Sequence, residues 1–212
     1  MKLAVFGATG GVGRHVIAQA LQRGHTVRAL VRTPSRAPFP PTVEIVAGDA
    51  LDCAAVAETV SGADAVLSCL GAKLTATFTR SGRIVAPATR EIVEAMYWHG
   101  VRRLIAISTY GVGDSWGQLS LSARILMRVL LWGERADKSA MESAVTASLL
   151  DWTIVRPVNL TDGPPAGWSL AHVSRRIGLR DTIPRTDVAA FMLAALHDDR
   201  EMLGRSLILV GR

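Results

Sequence analysis

The segment Gly7-Ala8-Thr9-Gly10-Gly11-Val12-Gly13 places four glycines in seven positions and leads to the first prediction about this chain. It follows a short apolar strand, Leu3 to Phe6, and precedes a stretch with helical spacing, His15 to Arg23. A second apolar strand then runs from Thr26 to Val31. In a strand-helix-strand unit, glycines permit the tight turn after the strand, and Gly13 lets the helix pack closely on the sheet. The segment therefore predicts the beginning of an α/β fold.

The alternation of strand and helix continues along the rest of the chain, and the predicted elements fall into two sets. Further strands are predicted at Val43 to Val46, Ala65 to Cys69, Arg103 to Ile107, Trp152 to Val155 and Leu207 to Val210, and further helices at Ala54 to Val60, Ile84 to His99, Lys138 to Leu149 and Asp187 to Leu196. Such an alternation is typical of a parallel sheet covered by helices on both faces. We expect residues 1–212 to form one α/β domain, a doubly wound parallel sheet of the Rossmann type with a small C-terminal lobe.

Composition and charge exclude several classes of protein. The net charge of +6 comes from 24 basic and 18 acidic residues that are dispersed along the chain, without the basic run expected of a nucleic-acid-binding surface. Cys53 and Cys69 lie in no cluster of metal ligands or CxxC motif, so we expect neither a metal site nor a disulfide framework. No apolar run reaches the roughly 18 residues of a membrane span. A cytoplasmic protein without stable membrane insertion is expected.

The glycine segment also predicts a ligand. The start of the following helix presents free N–H groups and the positive end of the helix dipole, an arrangement that binds anions such as a diphosphate. We therefore interpret residues Gly7, Thr9, Gly10, Gly11, Val12 and Gly13 as a dinucleotide-binding loop. A glycine-rich turn with a purely structural use is the alternative interpretation.

Arg32 indicates which dinucleotide this loop would take. Sites selective for NAD carry an acidic residue near the end of the second strand, about 20 positions after the glycine motif, which binds the ribose 2′-hydroxyl. Here that place holds Arg32, and Arg36 follows within reach of the same loop. A guanidinium matches the oxygens of a 2′-phosphate, which predicts NADP(H) as the cofactor. Alternatively, Arg32 ends a strand in solvent and binds nothing.

Five further motifs follow predicted strands or begin a helix, and together they suggest a family. They are Gly48-Asp49-Ala50-Leu51-Asp52, Ser68-Cys69-Leu70-Gly71, Ile107-Ser108-Thr109-Tyr110-Gly111, Asp151-Trp152-Thr153-Ile154-Val155-Arg156-Pro157 and Arg185-Thr186-Asp187-Val188-Ala189. With them the sequence resembles, over nearly its whole length, the atypical short-chain dehydrogenase/reductase family. The resemblance is to the small NAD(P)H-binding members related to flavin reductase/biliverdin reductase B and to NmrA-like proteins.

The resemblance implies three groups of cofactor contacts. They are the adenine at Asp49, Ala50 and Leu51, the middle of the cofactor at Leu70 and Gly71, and the nicotinamide at Pro157, Val158 and Asn159. A carboxylate at Asp49 suits the adenine amino group because it only accepts hydrogen bonds. An aspartate that stabilises a turn or caps the next helix is the alternative at this position.

The catalytic motif of the family is only partly present. Typical members use Tyr-x-x-x-Lys, but neither tyrosine of this sequence has a lysine four positions later. Alignment by the family's helix matches Lys138 and Glu142 to the lysine and to a glutamate four residues after it, which leaves Glu134 in the place of the tyrosine. The candidate catalytic residues are Ser108, at the end of the fifth strand, Lys138 and Tyr110.

Each of these assignments has a plainer alternative. Lys138 can be a surface charge on its helix, and Tyr110 can be a solvent-facing phenol. Arg156 is interpreted as structural, and Asp187 fits equally well a site residue or a favourable charge in the first turn of a helix.

Two functions are compatible with these residues. The first is an NADPH-dependent oxidoreductase that transfers hydride to a flavin, quinone or similar conjugated acceptor, which needs no positioned acid because it can take its proton from water. The second is an NADP(H)-binding sensor or regulator of NmrA-like type with little or no turnover. We expect a small-molecule acceptor as partner, no nucleic acid, and a monomer or homodimer.

The residues that would select an acceptor are expected in two stretches, 109–135 and 159–180. Within the first, Leu119 to Trp132 is apolar but interrupted by Arg124 and Arg128. It allows three interpretations: a lining of the substrate pocket, a helix packed on the sheet, or peripheral contact with a membrane.

Overall fold

A computed structural model describes residues 1–71, 83–118, 132–171, 176–178, 180–197 and 201–212. The strands of this part of the chain are β1 Lys2–Phe6, β2 Thr26–Val31, β3 Val43–Ala47, β4 Ala65–Ser68, β5 Arg103–Ile107, β6 Asp151–Pro157, β7 Asn159–Thr161, β8 Trp168–Leu170, β9 Thr182–Pro184 and β10 Arg205–Gly211. Its α-helices are α1 Gly11–Gln22, α2 Cys53–Val60, α3 Val85–Trp98, α4 Trp132–Thr146 and α5 Arg185–Ala194, with 3₁₀ turns at Pro34–Arg36 and Gly113–Gln118.

Eight strands form one sheet in the order β3-β2-β1-β4-β5-β6-β10-β8. Every neighbouring pair is parallel except β10 and β8, which are antiparallel. The chain runs outwards from β1 to β3 on one side and crosses over to continue from β4 on the other. This order confirms the predicted Rossmann-type doubly wound sheet. Strands β7 and β9 pair separately in parallel, and β9 lies against β10 and α5.

The central strands show why both faces of the sheet are covered. Leu3 and Val5 of β1 pack into an apolar cluster with α1 and α5, whereas Ala4 and Phe6 pack into a second cluster with α2, α3 and α4. Successive side chains of a strand point to opposite faces, so a strand that is buried on both sides must be apolar at every position. The unbroken apolar runs in the sequence are therefore the signature of these strands.

Several predicted boundaries differ from the structure, among them the starts of three helices, and three strands were not predicted. Helix α1 begins at Gly11 and not at His15, α4 begins at Trp132 and not at Lys138, and α5 begins at Arg185 and not at Asp187. The short strands β7, β8 and β9 were not predicted, because three residues are too few to show an alternation of apolar and polar side chains.

The three interpretations of Leu119 to Trp132 concern residues that lie, apart from Trp132, outside the described ones. In the part of the chain that is described, no helix is long and apolar enough to cross a membrane.

Candidate functional site

A cleft of ≈ 660 Å³ opens at the carboxyl ends of the central parallel strands. The glycine segment after β1 forms its floor, and the residues that follow β2, β3, β4, β5 and β6 line its walls. Strand β1 lies between β2 and β4, which is the point where the strand order reverses. In open α/β sheets, the loops diverge at such a reversal and leave a crevice for ligands. The fold thus places the cleft directly over the glycine segment.

Two glycines of the segment stand where a side chain has no room. Gly7 has a φ of 70°, and a Cβ atom there would lie 2.5 Å from the carbonyl oxygen of Cys69 in β4's continuation. A Cβ atom at Gly13 would collide with the backbone oxygens of Gly7 and Ala8. The amide of Gly10 also donates to the carbonyl oxygen of Gly7 at 3.0 Å, which closes the turn. The close packing of α1 on the sheet therefore requires glycine.

The beginning of α1 is prepared for an anion. Its first turn contains no acidic residue, and no side chain of the capping residue Gly10 is available to accept a hydrogen bond. Helix α2, by contrast, has a side-chain cap: Asp52 Oδ1 accepts hydrogen bonds from the amides of Ala54 and Ala55 at 3.0 and 3.4 Å. The first N–H groups of a helix need acceptors from outside it. A diphosphate fits the start of α1, since it supplies the acceptors and the negative charge that this helix lacks.

Arg32 lines the cleft immediately after β2, as expected, and its side chain is exposed. Arg14, in the first turns of α1, lines the same cleft and is also exposed. Arg36 is exposed in the 3₁₀ turn Pro34–Arg36 and is not among the residues that line the cleft. Arg32 therefore brings a guanidinium group, and not a carboxylate, to the cleft immediately after β2.

At the same end, Asp49 and Ala50 line the cleft after β3. Asp49 Oδ1 accepts a hydrogen bond from the amide of Leu51 at 3.0 Å, so this aspartate stabilises a turn, while the residue that caps α2 is Asp52. Leu51 is 48% exposed and is not among the lining residues. Asp49 therefore lines the cleft and does not cap α2.

The opposite end of the cleft is bordered by Leu70 and Gly71 after β4 and by Pro157 and Val158 after β6. A Cβ atom at Gly71 would meet no atom of the residues that the structure describes. Asn159 is exposed and does not line the cleft, and its Nδ2 donates to the carbonyl oxygen of Asp181 at 3.1 Å. Asn159 thus joins the loop before β9 to β7.

Lys138 is a buried side chain in the wall of this end of the cleft. It is 3% exposed, and its Nζ donates to the backbone oxygens of Leu70 and Ile107, each at 2.8 Å. The alternative of a surface charge is therefore wrong. Burial lowers the pKa of Lys138 to about 8, although the neighbouring carboxylates, Glu134 first among them, act in the opposite direction. The ammonium group is held at the carboxyl ends of β4 and β5 by two main-chain acceptors.

Ser108 lies beside Lys138 at the end of β5 and lines the cleft. It is 5% exposed, and its amide donates to the backbone oxygen of Val155 at 2.7 Å. Its buried hydroxyl has no hydrogen-bond partner among the residues that the structure describes. A buried polar group without a partner is costly, of the order of 1–3 kcal/mol. The position of Ser108 is one at which a bound ligand would supply the missing partner.

Glu134 lines the cleft one helical turn before Lys138. Burial raises the pKa of its carboxyl group, against the effect of Lys138, and Asp137 raises it further. The carboxyl group consequently keeps its proton to a higher pH than an exposed glutamate does.

Comparison with known proteins shows the family of this chain. Residues 7–199 match the profile of a family described as NAD(P)H-binding. The chain belongs to this NAD(P)H-binding family. Among its relatives, the 3-diazoavenalumate denitrifying reductase of a Streptomyces species is 37% identical over 116 residues, 51% of this chain, and the chain spans 38% of that protein's length.

Solved structures confirm the fold of this NAD(P)H-binding chain. The anaerobilin reductase ChuY of Escherichia coli O157:H7 has a TM-score of 0.78 at 24% identity, covering 100% of this chain and 97% of its own. A short-chain dehydrogenase/reductase of Veillonella parvula, solved in complex with NADP, has a TM-score of 0.83 at 18% identity, covering 100% and 94%. These two similarities show the fold, and the match of residues 7–199 shows the NAD(P)H-binding family; both agree with the resemblance described above.

Three polar residues that the sequence singled out lie away from the cleft of this NAD(P)H-binding domain. Tyr110 is buried, and its hydroxyl donates to the backbone oxygen of Ile177 at 2.8 Å, so the alternative of a solvent-facing phenol is wrong. Arg156 forms a buried pair with Glu142, with hydrogen bonds of 2.9 and 2.7 Å to its two carboxylate oxygens, as a structural residue would. Asp187 is buried in the first turn of α5 and accepts from the amide of Ala166 at 2.9 Å.

Several residues of the cleft were not singled out from the sequence as ligand contacts. Among them are Arg14, Ile84, Thr109, Glu134, Leu160 and Arg185. Arg185 stood in a recognised motif, Arg185 to Ala189, but its side chain reaches the glycine segment only through the packing of α5 against α1. Asp137 was missed as well: its carboxylate accepts from the amides of Val85 and Ala86 at 2.9 Å and caps α3 from α4.

Proposed function

We propose that this chain is an NADPH-dependent reductase that transfers hydride to a flavin, a quinone or a similar conjugated small molecule. One observation carries the proposal. The hydroxyl of Ser108, which has no partner among the described residues, and the ammonium group of Lys138 lie in the same cleft as the uncapped start of α1, so a cofactor that spans the cleft would reach Lys138 and bring the acceptor beside Ser108. The family supplies the class of cofactor, NAD(P)H.

The preference for NADPH over NADH rests on Arg32. Its side chain lines the cleft immediately after β2, where NAD-selective proteins carry a carboxylate. Guanidinium groups attract and bind a 2′-phosphate, whereas they have no such partner in NADH. The neighbouring Asp49 is placed after β3, at the adenine end, and would accept a hydrogen bond from the adenine amino group.

Lys138 and Ser108 have different roles in this proposal. The ammonium group has three N–H donors, and Leu70 and Ile107 accept two of them, so the third is directed to a hydroxyl of the nicotinamide ribose. The hydroxyl of Ser108 donates to an oxygen or nitrogen of the acceptor and stabilises the negative charge that develops there. The bound nicotinamide supplies the hydride.

The proton can come from two sources. Conjugated acceptors such as flavins and quinones take it from water. Glu134 offers a second source, because the raised pKa of its carboxyl group keeps it protonated closer to neutral pH than an exposed glutamate. An isolated ketone needs a positioned acid more strongly than a quinone does, so we expect ketones to be poor substrates.

A screen of NADPH oxidation tests this function. Purified protein is mixed with NADPH and FMN, FAD, a benzoquinone or a naphthoquinone, and absorbance at the nicotinamide band is followed; cyclohexanone is the control acceptor. We expect turnover with at least one conjugated acceptor and none with the ketone. Faster oxidation of NADH than of NADPH would contradict the cofactor preference, and turnover confined to the ketone would contradict the acceptor class.

A second function, regulation by bound NADP(H), is favoured by the positions of the two tyrosines. The hydroxyl of Tyr110 is engaged by Ile177, and that of Tyr97 accepts from the amide of Leu149, so neither phenol is in the cleft that the structure describes. A protein of this kind would bind NADPH and turn over none of the acceptors. Tight binding without NADPH oxidation is the result that would select it.

A further inference from the structure

Arg185, the first residue of α5, lies across the opening of α1. A Cβ atom at Gly11 would lie 2.6 Å from Arg185 Cδ and 2.7 Å from Arg185 Nε. Both residues line the cleft. The stem of the arginine thus occupies the space that a side chain at the start of α1 would need, and its guanidinium group lies beside Gly11 of the glycine segment.

The known partner of this guanidinium group is Asp162, which follows β7. Arg185 Nη1 donates to Asp162 Oδ1 at 2.7 Å, and the side chains are 26% and 82% exposed. An ion pair this open to water contributes little to stability. A guanidinium group has five N–H donors, so the pair leaves most of its capacity for another acceptor. Asp162 therefore positions the arginine more than it neutralises it.

The charges around Arg185 and the start of α1 favour the binding of an anion in addition to Asp162. Arg185 and Arg14 place two cations beside the positive end of the α1 dipole, and the first turn of α1 contributes no carboxylate. Like charges brought together this way repel each other unless a ligand compensates them. A diphosphate has two negative charges and oxygens that accept from both amides and a guanidinium group.

We propose that Arg185 is a clamp on the diphosphate of NAD(P)H: it closes over the group from the side of α5 while the amides at the start of α1 bind it from below. Asp162 holds the arginine in place in the absence of the cofactor and competes with the diphosphate for it. This inference rests on the membership in the NAD(P)H-binding family and not on the proposed acceptor. Through Asp162, the segment between β7 and β8 would then respond to whether a cofactor is bound at the glycine segment.

The clamp predicts a pattern of affinities that distinguishes Arg185 from Arg32. The diphosphate is common to NADPH and NADH, so loss of Arg185 weakens both. The 2′-phosphate occurs only in NADPH, so loss of Arg32 weakens that cofactor alone. Adenosine 2′-monophosphate has the 2′-phosphate but no diphosphate, and its affinity depends on Arg32 and not on Arg185.

Calorimetric titration of the three ligands into the full chain tests the clamp. For Arg185→Ala we expect about tenfold weaker binding of NADPH and of NADH and no change for adenosine 2′-monophosphate. Arg23→Ala, which removes the same charge at the far, exposed end of α1, is the matched control and leaves all three affinities within about twofold. Asp162→Asn removes the competing carboxylate and tightens the binding of both dinucleotides by about twofold.

The outcomes separate this inference from the proposed function. Unchanged dinucleotide affinities in Arg185→Ala, with a circular dichroism spectrum like that of the wild type, would overturn the clamp while leaving the reductase intact. An equal loss for adenosine 2′-monophosphate would overturn it too, since it would indicate a disturbed cleft. The expected pattern without turnover of any acceptor would support the clamp and refute the reductase.

Discussion

Lys138 donates from Nζ to the backbone oxygen of Ile107 at 2.8 Å and so joins α4 to the last residue of β5. The bond brings an ammonium group into the interior, where burial lowers its pKa to about 8. Because the charged form of a buried lysine is desolvated, Lys138 lowers the stability of the folded state at neutral pH, but it also provides a hydrogen-bond donor in the cleft. Its protonation therefore links stability, pH and function.

Replacement of this lysine should change how stability depends on pH. The pKa of Lys138 is about 8 in the folded chain and near the ordinary lysine value of 10.5 in the unfolded chain, so between these values the unfolded chain binds more protons and stability rises with pH. In Lys138→Met this contribution is absent. Relative to the variant, the wild type should gain about 2 kcal/mol in unfolding free energy between about pH 7.5 and 9.5, as measured in urea. Parallel pH profiles of the two proteins would contradict the burial of the charge.

Replacement of Arg32 should alter cofactor choice. Because its guanidinium group lines the cleft beside β2, Arg32→Ala should weaken NADPH binding by about tenfold and leave NADH binding within about twofold. Fluorescence titration of the two reduced cofactors measures the ratio. Arg36→Ala is the companion variant: its side chain is exposed outside the cleft lining, so we expect an effect on NADPH below about threefold. A larger effect at Arg36 than at Arg32 would reverse the assignment.

Removal of the hydroxyl of Ser108 should separate stability from activity. Its oxygen is buried without a partner among the described residues, so Ser108→Ala should leave the unfolding free energy equal or raise it by about 1 kcal/mol. The kcat for a conjugated acceptor should fall by about 10- to 100-fold, while the Kd for NADPH stays the same. Urea denaturation and steady-state kinetics measure the two effects. Destabilisation of the variant would indicate that the hydroxyl is a structural group.

Glu134 should produce a limb in the pH profile of kcat/KM for acceptors that require a proton. The acid form donates, so activity should decrease as pH rises through the raised pKa of this carboxyl group. In Glu134→Gln, which cannot donate in this way, the limb should disappear and the plateau at low pH should be lower. Glu94→Gln, an exposed change on α3, provides the control. A limb that persists in Glu134→Gln would assign it to another group.

Glu142 and Arg156 should behave as a structural pair. Their contact is bidentate, and both side chains are less than 10% exposed, at 8% and 5%. Loss of one member leaves the other charge buried, so Glu142→Gln should lower the unfolding free energy by about 3–5 kcal/mol. The double variant Glu142→Leu/Arg156→Met should recover much of this loss, because no charge is then left uncompensated. The Kd for NADPH in the double variant should remain near that of the wild type.

The strands of the sheet could be predicted from the sequence where they are buried on both faces, because such strands are apolar at nearly every position. β1 and β5 are apolar nearly throughout, and their runs end at glycine or polar motifs, so their bounds were almost correct. β8 has three residues and pairs with β10, which lies far along the chain, so nothing local indicates it. The start of α1 was placed too late because glycines at positions 11 and 13 have low intrinsic helix propensity, and the packing of α1 on the sheet overrides it.

The site could be predicted from the sequence only where a residue's role is evident from its neighbours in the chain. The glycine segment and Arg32 were recognised from their positions directly after predicted strands, and both line the cleft. The burial of Lys138 could not be predicted, because its acceptors Leu70 and Ile107 stand 68 and 31 residues away. Arg185 is a similar case, since it approaches Gly11 only when α5 packs against α1.

Strand β10 lies inside the sheet, between β6 and β8, although it is made last. During synthesis on the ribosome, β6 emerges long before its neighbour and presents an unpaired edge, the kind of surface at which nascent chains aggregate or recruit chaperones. β8 has no place to dock until residues 205–211 arrive. A chain that lacks residues 205–211 should therefore aggregate, because β6 and β8 then have no strand between them to pair with.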